Sequence, residues 1–294
     1  VCPQPGISDH DVSLFLQERL FNCLEAGGQR SDVQVPPEGP RSTVAPDLAL
    51  QIAVFCSDGE GSCTSFSRLF SDGRPQFAVI DHDNADGKTL SRLAGDGVQV
   101  LTFGTGGSTE LSGSWLGMDS NGMTVRISSP WGGGQVRTGL LGRRSLSQLL
   151  AAAGALALGG MPWNRVMHQL EIMCTSPGNL YRIGGGPGRP NAVIDYADTP
   201  ERLEDVLVAL RSHLHGRLCC VLTLDSAPNA RMVRVAQSLS DRVVISNTEN
   251  QSRHVEQAAS QFGPGDIVLV AGRAAEDEGP SGLLRLRELM GAAA

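Results

Sequence analysis

Between residues 192 and 271 short apolar runs alternate with amphipathic stretches of helical period, and few folds accommodate that order. The runs 192–196 (AVIDY), 218–224 (LCCVLTL), 243–245 (VVI) and 267–271 (IVLVA) each have strand length. Leu203, Val206, Leu207, Leu210 and Leu214 mark one face of an intervening helix, and further helices are expected over 229–239, 255–262 and 282–290. Thr199-Pro200 reads as the start of the first of them, a capping hydroxyl followed by proline at the first helical position. Strands joined by helices run parallel through right-handed crossovers, giving a helix-flanked sheet. Ligands of such sheets sit outside the carboxyl ends of the strands. Here those ends fall at 195–198, 223–226, 246–249 and 272–276.

The first half reads as mixed α/β. A helix is expected over 12–24, with Ser8 and Asp11 resembling a capping box and Gly27-Gly28 as a stop. A Pro-rich loop follows over 35–46. Strands are expected at 48–55, 77–81 and 98–103, with a short helix ending near Leu69 and another around 90–94. Residues 115–127 read as a hairpin turning at Asn121-Gly122. Two helices, 147–158 and 163–172, close this half, and the boundary between halves falls near 174–178. No internal repeat is visible.

The chain of 294 residues fits two domains, and 40% hydrophobic with 19% charged residues suits a globular core. A net charge of −7 argues against nucleic-acid binding, which needs a basic footprint. The longest apolar run, 149–161, is shorter than the roughly 20 residues that a membrane span requires. No secretory signal is visible, and the first residue, Val1, suggests processing or a fragment. The seven cysteines (2, 23, 56, 63, 174, 219, 220) show no CxxC pair, so a reducing, cytoplasmic setting is expected. His213, His215, Cys219 and Cys220 form the densest group of possible metal ligands. The pair of histidines ends a helix and the pair of cysteines opens an apolar strand, so this reads as structure rather than a metal site.

Three motifs invite functional readings. His82-Asp-Asn-Ala-Asp-Gly-Lys-Thr89 ends like a phosphate-binding loop. The first glycine is His82, however, and Asp81, Asp83 and Asp86 would repel phosphate, so an ordinary strand-to-helix turn is expected. The glycines over 184–188 precede a strand, the wrong context for a dinucleotide fingerprint. Asp195-Tyr-Ala-Asp-Thr-Pro200 sits at a strand's carboxyl end and runs into a helix N-terminus, where amides and dipole favour anions. Its two carboxylates suit acid–base or metal chemistry, or equally a helix cap.

At this last motif a resemblance appears. AVIDYADTPERLEDVLVALR, residues 192–211, resembles the Asp-Tyr-Ala-His-Thr-Pro motif and following helix of the Mur ligases, particularly those of MurE type. Gly139-Leu-Leu-Gly-Arg143 with 149–154 is similar to the helix near the end of that family's central domain. Ser176-Pro-Gly178 is similar to its lead into the C-terminal domain, Val79-Ile-Asp-His-Asp83 to its "VINADD" strand end, and Asp266-Ile-Val-Leu-Val-Ala-Gly272 to its last strand. The resemblance covers about 48–275. It implies part of the central α/β domain (residues 1–174) and a Rossmann-like C-terminal domain (175–294), with ligand contacts at Asp195, Tyr196, Asp198, Thr199, Arg273 and Glu276.

The family phosphorylates a carboxylate with ATP and lets an amine attack the acyl phosphate, which requires a phosphate loop and Mg²⁺. The chain departs from that pattern throughout. No Gly-Thr-Asn-Gly-Lys-Thr element occurs in it. The carbamylated lysine aligns with Phe66, and the His-bearing metal segment with 56–63. The adenine-side Asn residues become Ser145 and Gln148, and the motif His becomes Asp198. The Asp-Asn-Pro-Arg element becomes Asn247-Thr-Glu-Asn250, and Gly-Lys-Gly-His-Glu becomes Gly272-Arg-Ala-Ala-Glu276. The expectation is a homologue without ligase chemistry, with no catalytic residue, metal or cofactor. It would act by binding a protein partner, within a larger assembly, or by binding a UDP-muramoyl peptide. The other readings are an active ATP- and Mg²⁺-dependent ligase completed by a missing segment or partner, and a nucleotide or UDP-sugar sensor.

Overall fold

The computed structural model describes residues 52–56, 75–94, 97–175, 178–185, 187–224 and 229–272, with 288, 290 and 291. The expected helices at 12–24 and near Leu69, the strand start at 48–51 and most of the helix at 282–290 lie outside those residues, as do Phe66, Arg273 and Glu276. The chain divides into two compact units. The second comprises residues 172–294 together with 115–124 and 137–143, and the first the remainder.

In the first unit β1 (Ile52–Phe55), β2 (Phe77–Asp81) and β3 (Gln99–Gly104) pair in parallel, with helix α1 (Ala85–Leu93) between β2 and β3. The sheet continues in order through β4 (Leu111–Asp119), β5 (Gly122–Ser129) and β6 (Gly132–Thr138). Helix α2 (Arg144–Leu158) is apolar nearly all round, with Ala151, Ala152 and Ala153 fully buried. A Cβ on Gly154 would come within 2.8 Å of Leu101 and 3.0 Å of Val79, so the glycine lets the helix backbone approach the sheet closely. Helix α3 (Trp163–Glu171) packs beside α2, and Trp163 stacks on Trp131 with ring centroids 6.1 Å apart.

The hairpin turns one residue earlier than expected. Ser120 and Asn121 form the two-residue loop, and Gly122, at φ +131°, already belongs to β5. A side chain at Gly122 would strike the Thr138 carbonyl, so the glycine serves strand approach rather than the turn itself. Strand β6 was not expected.

The second unit holds β7 (Tyr181–Ile183), β8 (Asn191–Asp195), α4 (Pro200–Arg211), β9 (Leu218–Thr223), α5 (Ala230–Leu239), β10 (Arg242–Ser246), α6 (Gln251–Ala259) and β11 (Ile267–Ala271). The sheet order is β10-β9-β11-β8-β7. Strands β8 to β11 are parallel as expected, so Asp195, Thr223, Ser246 and Gly272 line one edge. The sheet is not wholly parallel, because the short edge strand β7 joins β8 antiparallel. Strands β8, β9 and β11 are buried throughout, which is why their sequences are apolar without alternation. Cys220 and Leu222 face the core formed with α4 and α5, while Cys219 and Val221 face the core formed with α6.

Candidate functional site

The Asp195 carboxylate is fully buried. Its Oδ2 accepts a hydrogen bond from the Leu180 amide at 2.9 Å, and the Arg202 guanidinium, in the first turn of the motif helix, approaches to 3.4 Å. Burial pushes the Asp195 carboxyl above its usual range, and the Arg202 charge pulls against that shift. Arg202 also donates to Asn179 Oδ1 at 2.9 Å, and the Tyr196 amide donates to the Gly178 carbonyl at 2.9 Å. Together these bonds pin the segment 178–180 that leads into the unit. The pinning matters because Leu180 has φ +46°, a conformation that strains any residue with a Cβ.

Tyr196 is half-buried against the α6-side core. Thr199 caps α4, its Oγ1 accepting from the Arg202 amide at 3.2 Å, and Pro200 occupies the first helical turn. Asp198, standing where the family motif has His, is exposed at that helix N-terminus. The structure therefore brings Asp195, Tyr196, Asp198 and Thr199 to one strand end, with Asp195 sealed beneath.

The same edge holds the expected strand-end residues Thr223, Ser246 and Gly272, together with Gln251, which sequence reasoning missed. Thr223 ends β9 on the face shared by Cys219 and Val221, the α6 side; its Oγ1 is buried without a hydrogen-bond partner. Gln251 opens α6 one turn before the buried Val255, and both polar atoms of its side chain are likewise buried and unpartnered. Ser246 ends β10; its Oγ donates to the Asn247 carbonyl at 3.1 Å and lies 2.8 Å from His254 Nδ1. Gly272, at φ +111°, follows β11, and a Cβ there would come within 2.1 Å of the Thr223 carbonyl. The end of the apolar run in β9 was the signal for Thr223; nothing local marked Gln251, whose burial comes from tertiary packing.

The loop-like Gly87-Lys88-Thr89 lies inside α1. Asn84 caps that helix by accepting from the Gly87 amide at 2.7 Å, and Thr89 Oγ1 donates to the Ala85 carbonyl, so no open amide cradle exists there. Asp83 accepts from both the amide and the hydroxyl of Thr105 at 2.7 Å. The four residues of the His213 group do not converge: His213 is buried, His215 is exposed, and Cys219 and Cys220 face opposite cores. Among the described residues no three His, Cys, Asp or Glu side chains are grouped to hold a metal. No described helix is long and apolar enough to cross a membrane.

No family model matches the chain. Individual proteins do. It is 30% identical over 277 residues to the UDP-N-acetylmuramoyl-L-alanyl-D-glutamate--2,6-diaminopimelate ligase of Ectopseudomonas mendocina, covering 88% of this chain and 57% of that protein. It is 32% identical over 260 residues to the ligase of that name from Pseudomonas aeruginosa, covering 84% and 53%. The chain thus spans little more than half the length of these relatives. A solved structure of such a ligase superposes with a TM-score of 0.65 at 21% identity, covering 82% of this chain and 60% of the other. The UDP-N-acetylmuramate-alanine ligase MurC of Thermotoga maritima gives 0.55 at 13% identity, covering 83% and 59%. Two α/β units with these sheets define the architecture of the Mur ligase central and C-terminal domains, and the chain is a homologue of that family. Within the family its sequence is MurE-like, the kind whose members bear the diaminopimelate ligase name.

Proposed function

We propose that this MurE-like chain acts by binding at the carboxyl edge of its second sheet and no longer carries ATP-dependent ligase chemistry. The observation that carries the binding reading is the buried, unpartnered Thr223 hydroxyl and Gln251 amide at that edge. Each buried polar group without a partner costs about 1–3 kcal/mol, which a ligand supplying the missing bonds would return. One feature supports the loss of chemistry: no cation stands among Asn247-Thr-Glu-Asn250, where the resemblance puts the arginine that receives the amino acid. The relatives' names point to a UDP-muramoyl peptide or a diamino diacid as the compound recognised; the proposed setting is the cytoplasm, and a protein partner of peptidoglycan synthesis is the binding reading's other arm. Arg273 and Glu276 follow Gly272 in sequence and are proposed ligand contacts by the resemblance, with Tyr196, Asp198 and Thr199.

The second reading, an active ligase needing ATP and Mg²⁺ and completed by a further segment or partner, draws on identity of 30–32% to named ligases. Calorimetry and ADP release separate the two. The expected result is binding of UDP-N-acetylmuramoyl-L-alanyl-D-glutamate or 2,6-diaminopimelate that Gln251→Ala weakens, with no ADP formed in the presence of ATP and Mg²⁺. ADP formation dependent on both substrates would overturn the loss of chemistry. Absence of binding by either compound, alone or with ATP, would overturn the small-ligand arm.

A further inference from the structure

His213 lies at the C-terminal end of α4, 1% exposed, and its imidazole ties together three parts of the second unit. The Gly142 amide donates to Nε2 at 2.8 Å. The carbonyls of Asp119 and Gly122, flanking the hairpin loop, lie 3.0 and 3.2 Å from Nδ1. A backbone N–H only donates and a carbonyl only accepts. Nε2 therefore carries the lone pair and Nδ1 the hydrogen, so these contacts admit one neutral tautomer and no other protonation state.

The charged surroundings do not favour imidazolium. Asp119 is the carboxylate whose charge reaches the ring, but Arg137 holds it at 2.6 Å and opposes protonation of the ring. Arg182, half-buried, feels the charges of both Arg137 and Asp119. On α4 itself Arg211 is paired with Asp241 at 2.9 Å, and His215 beyond the helix is exposed. Burial is the largest influence on His213 and holds its pKa below the ordinary histidine value, with the two carbonyls and Asp119 acting in the other direction.

We propose that His213 is a proton-operated latch inside the second unit: one proton taken from solvent onto Nε2 breaks the bond from Gly142 and releases 139–143 from the end of α4, while Nδ1 goes on donating to the hairpin carbonyls. The new N–H would point at the Gly142 N–H at hydrogen-bond distance, donor against donor. The charge would also lie in a site closed to water. Release of 139–143 removes the clash and hydrates the ring.

Amide exchange and imidazole ¹⁵N shifts, recorded on the full chain between pH 7.5 and 5.0, test this. Protection of the Gly142 amide, corrected for intrinsic exchange, should fall at least tenfold as Nε2 gains its proton, at a common midpoint below 6.5. Protection of β11 amides should stay constant over that range. In His213→Gln, whose amide can accept from Gly142 and donate to Asp119 without titrating, protection at Gly142 should be the same at both ends. The latch is refuted if the imidazole titrates while Gly142 keeps its protection, or if the midpoints differ. A loss spread equally over β11 would mean general acid unfolding and would refute it too. These wild-type outcomes decide the matter even if the glutamine variant does not fold.

Discussion

Asp195→Ala would test whether the motif carboxylate is a structural pin. The substitution removes the acceptor of the Leu180 amide, which is then left in a partly buried place at a cost of about 1–3 kcal/mol. It also leaves the left-handed Leu180, itself strained by roughly 1–2 kcal/mol, free to relax and carry 178–180 with it. The Arg202 ion pair adds little, because that side chain is 40% exposed and can turn to water. The expected loss is about 2–3 kcal/mol, read as a fall in Tm of roughly 5–10 °C by calorimetry or circular dichroism. Arg202→Ala should show the opposite pH signature. Burial already raises the Asp195 pKa above 3.8, so folding is favoured by its protonation and that contribution fades as pH rises through the folded value. Without Arg202 the shift grows, and Arg202→Ala should regain stability relative to wild type as pH falls from 7 toward 4. Asp195→Ala should show no such recovery. A loss below about 1 kcal/mol in Asp195→Ala, or a pH-independent deficit in Arg202→Ala, would refute the reasoning.

Thr199→Ala should lower stability by about 1 kcal/mol through loss of the α4 cap, measured by urea titration, whereas Asp198→Ala should cost only roughly 0.3–1 kcal/mol through the helix dipole. Burial pushes the Cys219 thiol up to about 11 and raises Cys220 further, so alkylation at pH 8 followed by peptide mapping should mark exposed Cys174 quickly and the β9 pair only in denaturant. Gly272→Ala should destabilise by about 3 kcal/mol or more, because a Cβ meets the Thr223 carbonyl at an unfavourable φ; thermal melting within 1 °C of wild type would contradict the close approach of β9 and β11.

What the sequence disclosed follows from how each element is stabilised. Strands such as β2 and β11, buried on both faces, carry apolar runs whose ends coincide with the structural ends, and these were legible. Strand β6 begins Gly132-Gly-Gly-Gln, which offers no alternation, and it exists because β5 provides its ladder. Strand β7 is three residues long and is held by β8, so no local pattern announces it. Helix α1 begins at Ala85, ahead of its apolar residues, because the Asn84 cap rather than periodicity sets its start. At the site, Asp195 and Thr199 were legible through their position at a strand end and helix start. Gln251 was not, since an amide opening a helix is ordinarily solvated. The role of His213 was hidden as well, because its partners come from residues 119–142, far back in the chain.

The motif shared with the Mur ligases can be sorted by what each residue does in this structure. Asp195 pins Leu180, Tyr196 closes onto Gly178, Ala197 is fully buried beneath α4, Thr199 caps that helix and Pro200 starts it. Each of these positions matches the family pattern, and each has a folding task that any chain with this strand-to-helix join must meet. The one position that departs, Asp198, is exposed, where a substitution disturbs no packing. A chain relieved of ligase chemistry would be expected to keep the first set and let the second drift, because stability constrains only the former. Resemblance across the motif is therefore evidence about the join between β8 and α4, and identity of 30–32% to named ligases carries the fold further than it carries their reaction.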